Sequence, residues 1–254
     1  MLLRPSLFAF LLLLPLAACG AAPDLGDRAL GKIVVGSDLD NLPFAGVDAD
    51  GAPIGRDIEM MQLLAQRLQL AIEWRRMPFD ELLPAAENGD VDVVCATLGI
   101  TPERLERVRF STAYFYTEIA VVVRAGFGEP AELGDLHGRV VSAARGTTSQ
   151  RAVRRHLPGA IGAFDNKEGV AADVRLGRGA IDAAVMDGPA ADRLVAASDG
   201  ALRRLPQPLE RERYALALPK DRDELCALLD RELQEMRRSG VLAELDRRAG
   251  LRAD

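Results

Sequence analysis

VDVVCATLGITPER, residues 91–104, joins a short apolar run to a polar loop and the start of a helix. The run Val91–Ala96 has the length and composition of a buried strand. Thr101 suits the N-cap of the following helix, and Pro102 suits its first position, where a missing backbone N–H costs nothing. The stretch therefore predicts a buried strand that ends in a polar loop, the place where α/β sheets bind ligands.

Two strand and helix pairs precede this stretch. Lys32–Gly36 and Ala71–Trp74 are short apolar runs that predict buried strands. Two helical patterns alternate with the strands, with apolar faces at Ile58, Met61, Ala65 and Leu68 and at Phe79, Leu82, Leu83 and Ala86. This alternation predicts an α/β fold with a mostly parallel sheet and right-handed crossovers.

A second unit of the same kind follows. Strands are predicted at Arg139–Ala143, Ala180–Met186 and Tyr214–Leu218. Helices are predicted after Gly146, over Gly169–Leu176 and Ala190–Ala197, through Leu225, Leu229, Leu233 and Met236, and around Leu242 and Leu245. The chain is therefore expected to fold as two α/β units, each with its own sheet.

The first 18 residues have the pattern of an export signal. Arg4 precedes the apolar run Leu7–Leu16, which is too short and wrongly flanked for a transmembrane helix. Leu16-Ala17-Ala18-Cys19 resembles a bacterial lipobox, so residues 1–18 are expected to be a lipoprotein signal peptide and Cys19 the lipidated mature N-terminus; the alternative is an ordinary signal peptide cleaved nearby. Residues 19–28 would then be the lipidated cysteine and a flexible tether, with the protein anchored in the periplasm or cell envelope.

Composition excludes several functions. The chain has 38 acidic and 32 basic residues, a net charge of −6, which argues against a nucleic-acid-binding protein. Two histidines and three cysteines argue against a zinc site and a Ser-His-Asp triad, so neither metal nor cofactor is expected. Cys95 and Cys226 fit buried thiols, while the exported location would also allow a disulfide.

Short polar groups follow the predicted strand ends. They are Ser37 and Asp38; Thr97, Leu98 and Gly99; Arg145, Gly146, Thr147 and Thr148; and Asp187. With Arg104 to bind a carboxylate, helix-start amides to support it and Asp187 to bind an ammonium, this set suits a zwitterion. The alternatives are a solvated Arg104, a helix-capping Asp187 and a threonine pair that only caps its helix.

The same residues carry a family resemblance over about residues 31–250. Thr97-Leu98-Gly99-Ile100-Thr101-Pro102-Glu103-Arg104, followed by Phe110-Ser111-Thr112-Ala113-Tyr114-Phe115, resembles the signature of bacterial extracellular solute-binding proteins of polar amino-acid ABC transporters. Supporting matches, in the same order as in the family, are Gly31–Asp38 with Pro43-Phe44, Gly146-Thr147-Thr148, and Asp182–Val185 leading to Asp187.

The resemblance implies a type II periplasmic-binding-protein fold, with two lobes joined by crossing strands at Ala120–Arg124 and Tyr214–Leu218. Lobe 1 would comprise residues 29–121 and 216–254, and lobe 2 residues 122–215. Arg104 would bind the ligand's α-carboxylate with the amides of Gly99 and Thr148, and Thr147 would be a further ligand-binding residue in the same loop as Thr148. Thr97 and Asp187 would bind the α-ammonium, and Asp38 the polar end of the side chain.

The sequence departs from the family at the side-chain pocket. Asn41 and Arg56 stand where the family usually has aromatic or large apolar residues. Arg56 and Arg145 favour an anionic or strongly hydrogen-bonding side chain, whereas Asp38 favours a cation or an amide. The resemblance therefore implies a non-enzymatic, monomeric receptor that binds a polar amino acid or a close relative and delivers it to an ABC permease and its ATPase. The alternatives are an enzyme of cyclohexadienyl-dehydratase type, a ligand sensor and an orphan binding lipoprotein.

Overall fold

The computed structural model describes residues 31–126, 128–165 and 176–251. Within these ranges the strands form two large sheets and one small hairpin, and helices pack on both large sheets. The predicted signal peptide, Cys19 and the tether lie outside the described residues, as do residues 169–175 of the helix predicted over Gly169–Leu176. The α/β architecture predicted from the strand and helix alternation is present in the rest.

The first sheet has the strand order β4-β1-β5-β13-β6. Strand β1 pairs in parallel with β4 and β5, whereas β13 pairs antiparallel with β5 and β6. The predicted strand Val91–Ala96 is shorter in the structure, where only Val93 and Val94 pair. The bounds are β1 Lys32–Ser37, β2 Gly46–Val47 and β3 Pro53–Ile54 (the hairpin), β4 Ala71–Arg76, β5 Val93–Val94, β6 Arg109–Phe110 and β13 Ala217–Leu218.

The second sheet has the order β11-β7-β10-β8-β9, and β12 also pairs with β7. Strand β8 lies parallel to β9 and β10, while β7 is antiparallel to β10, β11 and β12. The bounds are β7 Phe115–Arg124, β8 Val140–Ala144, β9 Ile161–Asp165, β10 Ala183–Asp187, β11 Leu202–Arg204 and β12 Glu210–Tyr214.

Two antiparallel segments connect the units, and we call Phe115–Ile119 with Glu210–Tyr214 the hinge ribbon. Its register pairs Phe115 with Tyr214 and Ile119 with Glu210. This differs from the predicted crossings: Ala120–Arg124 lies within the second sheet, and Tyr214–Leu218 is divided between β12 and β13. Each strand of the ribbon begins a few residues before the predicted crossing. For the second strand the reason is the charged run at residues 210–213, which hides its strand character in the sequence.

Helices surround each sheet and supply the separate apolar cores. Much of the first core comes from residues after the hinge ribbon, because the last two helices bury Leu229, Leu233, Met236 and Leu245 against it. The helix bounds are α1 Arg56–Arg67, α2 Phe79–Glu87, α3 Pro102–Leu105, α4 Thr148–His156, α5 Gly188–Ala196, α6 Asp223–Arg238 and α7 Val241–Arg248, with a 3-10 turn at Leu133–Leu136.

Three aromatic rings fix the ribbon to the first unit. Phe44 packs edge-on against Phe115 and Tyr214, with centroids 5.0 and 5.7 Å away.

Cys95 and Cys226 are free and buried thiols, in agreement with the simpler of the two predictions for them. In the described part of the chain, no helix combines the length and apolar character needed to cross a bilayer.

Candidate functional site

The loops after β1 and β5 meet at the edge of the first sheet. The amide of Asn41 donates a hydrogen bond to the Thr97 hydroxyl, with 3.0 Å between Nδ2 and Oγ1. Thr97 has a φ of 50°, which is rare for a β-branched residue, and such backbone strain concentrates at ligand sites. The structure therefore brings Asn41 and Thr97 together at a strand end, although the sequence predicts them in different parts of the ligand site.

Arg104 links the two units. Thr101 caps α3 by accepting the backbone N–H of Arg104, which places the side chain across the cleft. The guanidinium donates to the carbonyl of Gly99 at 2.8 Å and to that of Gly146 in the second unit at 3.1 Å. Burial lowers the pKa of Arg104 to about 10, and the nearby Glu212 and Asp187 carboxylates oppose this shift, so the side chain stays charged at neutral pH.

Thr147 and Thr148 have different roles in the structure. Thr147 is the N-cap of α4: its hydroxyl oxygen accepts the Gln150 N–H at 3.3 Å and donates to the Ala144 carbonyl at 2.6 Å. Thr148 is buried, and its hydroxyl donates a short hydrogen bond to the carboxylate of Glu212. The capping alternative therefore applies to Thr147, while Thr148 faces the hinge ribbon.

Glu212 is the residue that the sequence analysis missed. It lies on β12 in the hinge ribbon and touches both units, because a Cβ on Gly99 would overlap its Oε1. Burial raises the pKa of Glu212 to about 8, and the nearby Asp187 charge adds to the increase. The alternating run Glu210-Arg211-Glu212-Arg213-Tyr214 is the signal that could have identified it, since alternation places Glu212 and Tyr214 on one face.

Asp187 and Asp38 lie at the ends of β10 and β1. Asp187 has the N-cap position of α5 but makes no side-chain capping bond, so the structure does not support the capping alternative. Burial raises the pKa of Tyr214 far above its usual range, and the nearby charge of Asp187 adds to this increase. Asp38 is buried, and its charge adds to the burial that raises the Cys95 pKa.

The structure corrects the predicted position of Arg56. Its side chain has no exposed surface and forms ion pairs with Asp246 at 2.7 Å and Asp57 at 3.2 Å. The guanidinium also lies 5.2 Å from the centroid of the Tyr114 ring. None of these partners is a predicted ligand-binding residue. Arg56 therefore fastens α1 to α7 and is not available to a ligand side chain.

Arg145 lies in the loop before α4, but its side chain is directed away from the candidate ligand site. Its guanidinium is exposed and donates to the carbonyl of Phe164 at 2.9 Å. Arg56 and Arg145 are engaged elsewhere, and the charged groups described around the strand ends include Arg104 and the acids Asp38, Asp187 and Glu212, with Arg151 and Arg193 nearby. In the described ranges no cluster of three His, Cys, Asp or Glu side chains could hold a metal ion. An arginine without an ion pair among the described residues, beside several carboxyl groups, suits a small zwitterion.

Comparisons with known proteins agree with this chemistry. Residues 33–250 match the model of the family described as bacterial extracellular solute-binding proteins, family 3. A probable amino-acid-binding protein, YxeM of Bacillus subtilis, is 26% identical over 92% of this chain and 89% of its own length. The lysine/arginine/ornithine-binding periplasmic protein of Escherichia coli is 26% identical over 82% of this chain and 83% of its own.

A solved structure shows the same fold. An ancestral arginine-binding protein bound to arginine superposes with a TM-score of 0.77 at 30% identity, covering 86% of this chain and 97% of its own. The two-sheet α/β fold is thus that of type II periplasmic binding proteins, which confirms the fold predicted from the sequence. The relatives are binding proteins by name, and the prediction of a binding protein rather than an enzyme is also confirmed.

Proposed function

The chain belongs to family 3 of the bacterial extracellular solute-binding proteins and is an amino-acid-binding protein of an ABC transporter, and from this we propose that it captures a polar amino acid between its two units. The observation that carries the proposal is the place of Arg104. Its half-buried guanidinium spans the two units and, among the described residues, contacts carbonyl oxygens rather than forming an ion pair. A ligand carboxylate is the natural partner for such a cation.

The ligand roles follow from the arrangement around Arg104. The α-carboxylate binds to Arg104 and to the amides of Gly99 and Thr148, the latter in the first turn of α4, where the helix dipole favours an anion. The α-ammonium binds to Asp187 and Thr97. Asp38 lies at the end of β1 and receives the polar end of the side chain.

Closure of the units produces capture. The sequence predicts the lobes at residues 29–121 with 216–254 and at residues 122–215, and the hinge ribbon moves their proposed boundaries to Phe115–Ile119 and Glu210–Tyr214, the connection about which the lobes move. Arg104 and Thr97 belong to the first lobe, and Thr148 and Asp187 to the second. A ligand that contacts both sets stabilises the closed state by its greater affinity for that state.

The location follows from the family and from the first 19 residues. Its relatives are periplasmic or extracellular, and we infer that a lipid on Cys19 anchors this protein to the membrane, beside the permease and ATPase that receive its ligand. The protein acts as a monomer.

Replacing Cys19 with alanine should release the protein from the membrane fraction. Retention of the variant in that fraction would contradict lipidation at this cysteine.

Ligand identity is tested directly by mass spectrometry of small molecules that co-purify with the protein. Isothermal titration calorimetry with the twenty standard amino acids then ranks their affinities. We expect a polar amino acid to bind most tightly, because the cleft residues are charged or hydroxyl-bearing. Tight binding of leucine or phenylalanine alone would refute a polar ligand, and binding of none of the twenty would refute the proposed function.

A further inference from the structure

We propose that Glu212 is a ligand-binding carboxylate, a second acceptor for the ligand's α-ammonium beside Asp187, and that ligand binding releases a proton from it. This inference rests on the proposed function and adds to it a contact residue and a pH dependence.

The hinge ribbon directs Glu212 towards the cleft. The register pairs Glu212 with Thr117, so both side chains lie on the same face of the ribbon. Gly188, at the start of α5, lies against that face, because a Cβ on it would be 3.0 Å from the Thr117 hydroxyl. Glu212 therefore lies next to the loop that carries Asp187.

Only one of the two Glu212 oxygens is satisfied. Oε1 accepts the Thr148 hydroxyl, whereas Oε2 is buried and has no hydrogen-bond partner among the described residues. The residue is only 7% exposed, so solvent replaces little of the missing interaction. A buried acceptor without a partner is costly, and a donor supplied by a ligand would remove that cost.

Gly99 makes the room that Glu212 occupies. A Cβ at position 99 would overlap Oε1 of Glu212 and lie 2.9 Å from Cγ2 of Thr148. Glu212 also lines a cavity of about 1150 Å³ that is bounded by Pro43 and residues 249–251 of the first unit and by Gly188 and Pro189 of the second. Glu212 therefore lies between this cavity and Thr148, whose hydroxyl donates to its carboxylate.

Glu210 shows what a structural glutamate on this strand looks like. It accepts hydrogen bonds from His156 at 2.7 Å and Arg151 at 3.3 Å. Two residues further along the same strand, Glu212 has no ion pair of this kind within the described residues. The difference indicates that Glu212 is not held in place solely to stabilise the fold.

The charges around Glu212 define the ligand group that fits. Asp187 opposes its ionisation, Arg104 and Arg151 favour it, and Tyr214 faces both acids. A cation placed between two adjacent acids favours the ionised form of both. The same ligand must also place a carboxylate next to Arg104 and the Thr148 amide, which donate hydrogen bonds to it. An α-amino acid, in which one carbon separates the ammonium from the carboxylate, can place the ammonium between the acids and the carboxylate at these donors.

Proton release follows from the same geometry. Without ligand, burial and the Asp187 charge favour the protonated form of Glu212. A bound ammonium favours the ionised form, so binding near pH 7 should release about one proton. Affinity should therefore rise with pH and level off above about pH 8, as Glu212 becomes ionised before the ligand arrives.

The experiment is calorimetry on the purified protein with the tightest-binding of the twenty standard amino acids. It is performed from pH 6 to pH 8.5 in buffers of different ionisation enthalpy, so that proton release is measured with affinity. Glu212→Gln keeps the shape and the Thr148 acceptor but removes the charge. We expect affinity about 10- to 100-fold weaker at pH 8 and loss of the proton release.

Two further variants separate ligand contact from structure. Glu212→Asp keeps the charge on a shorter side chain and should retain proton release with an intermediate affinity. Glu118→Gln changes a hinge glutamate on the opposite face, paired with Arg204, and should match the wild type in both measurements.

Wild-type affinity and wild-type proton release in Glu212→Gln would overturn this inference and leave the proposed function standing. Equal losses in Glu118→Gln would also overturn it, because any hinge charge would then have the same effect. A wild-type protein that binds none of the twenty amino acids would refute the proposed function and this inference with it.

Discussion

Replacing Arg56 with methionine should destabilise the protein and leave ligand binding intact. The guanidinium lies between Asp57 and Asp246, and the Arg56 and Asp57 side chains have no exposed surface. Burial already raises the pKa of Asp57 to about 6 against the attraction of Arg56. Without the cation, two carboxylates would share one buried site, and breaking a buried pair in this way costs about 3–5 kcal/mol.

The size of the effect depends on pH. Asp57 has a higher pKa in the folded protein than in the unfolded chain, so its contribution to stability is full below about pH 4 and is lost as pH rises through about 6. Removing Arg56 raises that pKa further and moves the loss to higher pH. At pH 8 the melting temperature should fall by about 6–20 °C, and at pH 5 by less.

Thermal unfolding by circular dichroism at pH 5 and pH 8, with calorimetry at a temperature where the variant is folded, measures both properties. Arg104→Ala is the matched control, because it should show the reverse pattern of weakened binding and a nearly unchanged melting temperature. If Arg56→Met melts like the wild type and loses ligand affinity, Arg56 lies in the ligand pocket and the interpretation of the buried ion pairs is wrong.

Three other outcomes are expected. Arg104→Ala should weaken ligand binding by about 30-fold to several thousandfold, since it removes a buried charged anchor; calorimetry that finds unchanged affinity would exclude Arg104 from the site. Gly99→Ala should weaken ligand binding by an amount equivalent to about 1–3 kcal/mol, because the new Cβ displaces Glu212. Gly134→Ala is the control and should bind the ligand normally, since the nearest atom lies 3.7 Å from its new Cβ. The ligand-free protein should lose stability from about pH 5 to pH 9, because folding raises the pKa of Glu212 from 4.5 to about 8, and urea titrations should find a flatter profile in Glu212→Gln; an equally steep profile in that variant would show that other groups cause the loss.

The sequence was most informative where periodicity was strong. Strands β1, β4 and β8 and the last two helices lie within a few residues of their predicted positions, because apolar spacing reports burial directly. The hinge ribbon was misplaced, since the charged residues of β12 mask its strand character. Here a long-range pairing with β7 forms the strand, and local sequence does not show such pairings.

The sequence predicts the site residues that directly follow strands. It does not predict the side chains whose partners are distant in the sequence. Arg104, Thr148 and Asp187 converge as expected from strand ends. Arg56 was assigned to the ligand because its partner Asp246 is 190 positions away in sequence. Glu212 was missed for the same reason, because its closeness to Gly99 depends on how the two units meet.

The route of the chain also has a consequence for folding during synthesis. Strand β13 inserts between β5 and β6, and residues Leu225–Leu245 complete the core that β1 begins. A nascent chain that stops after the second unit therefore exposes a half-covered first sheet, however much of the second has formed. The first unit can become protease-resistant only when nearly the whole polypeptide has been made, and limited proteolysis of chains truncated before Asp223 would reveal this order.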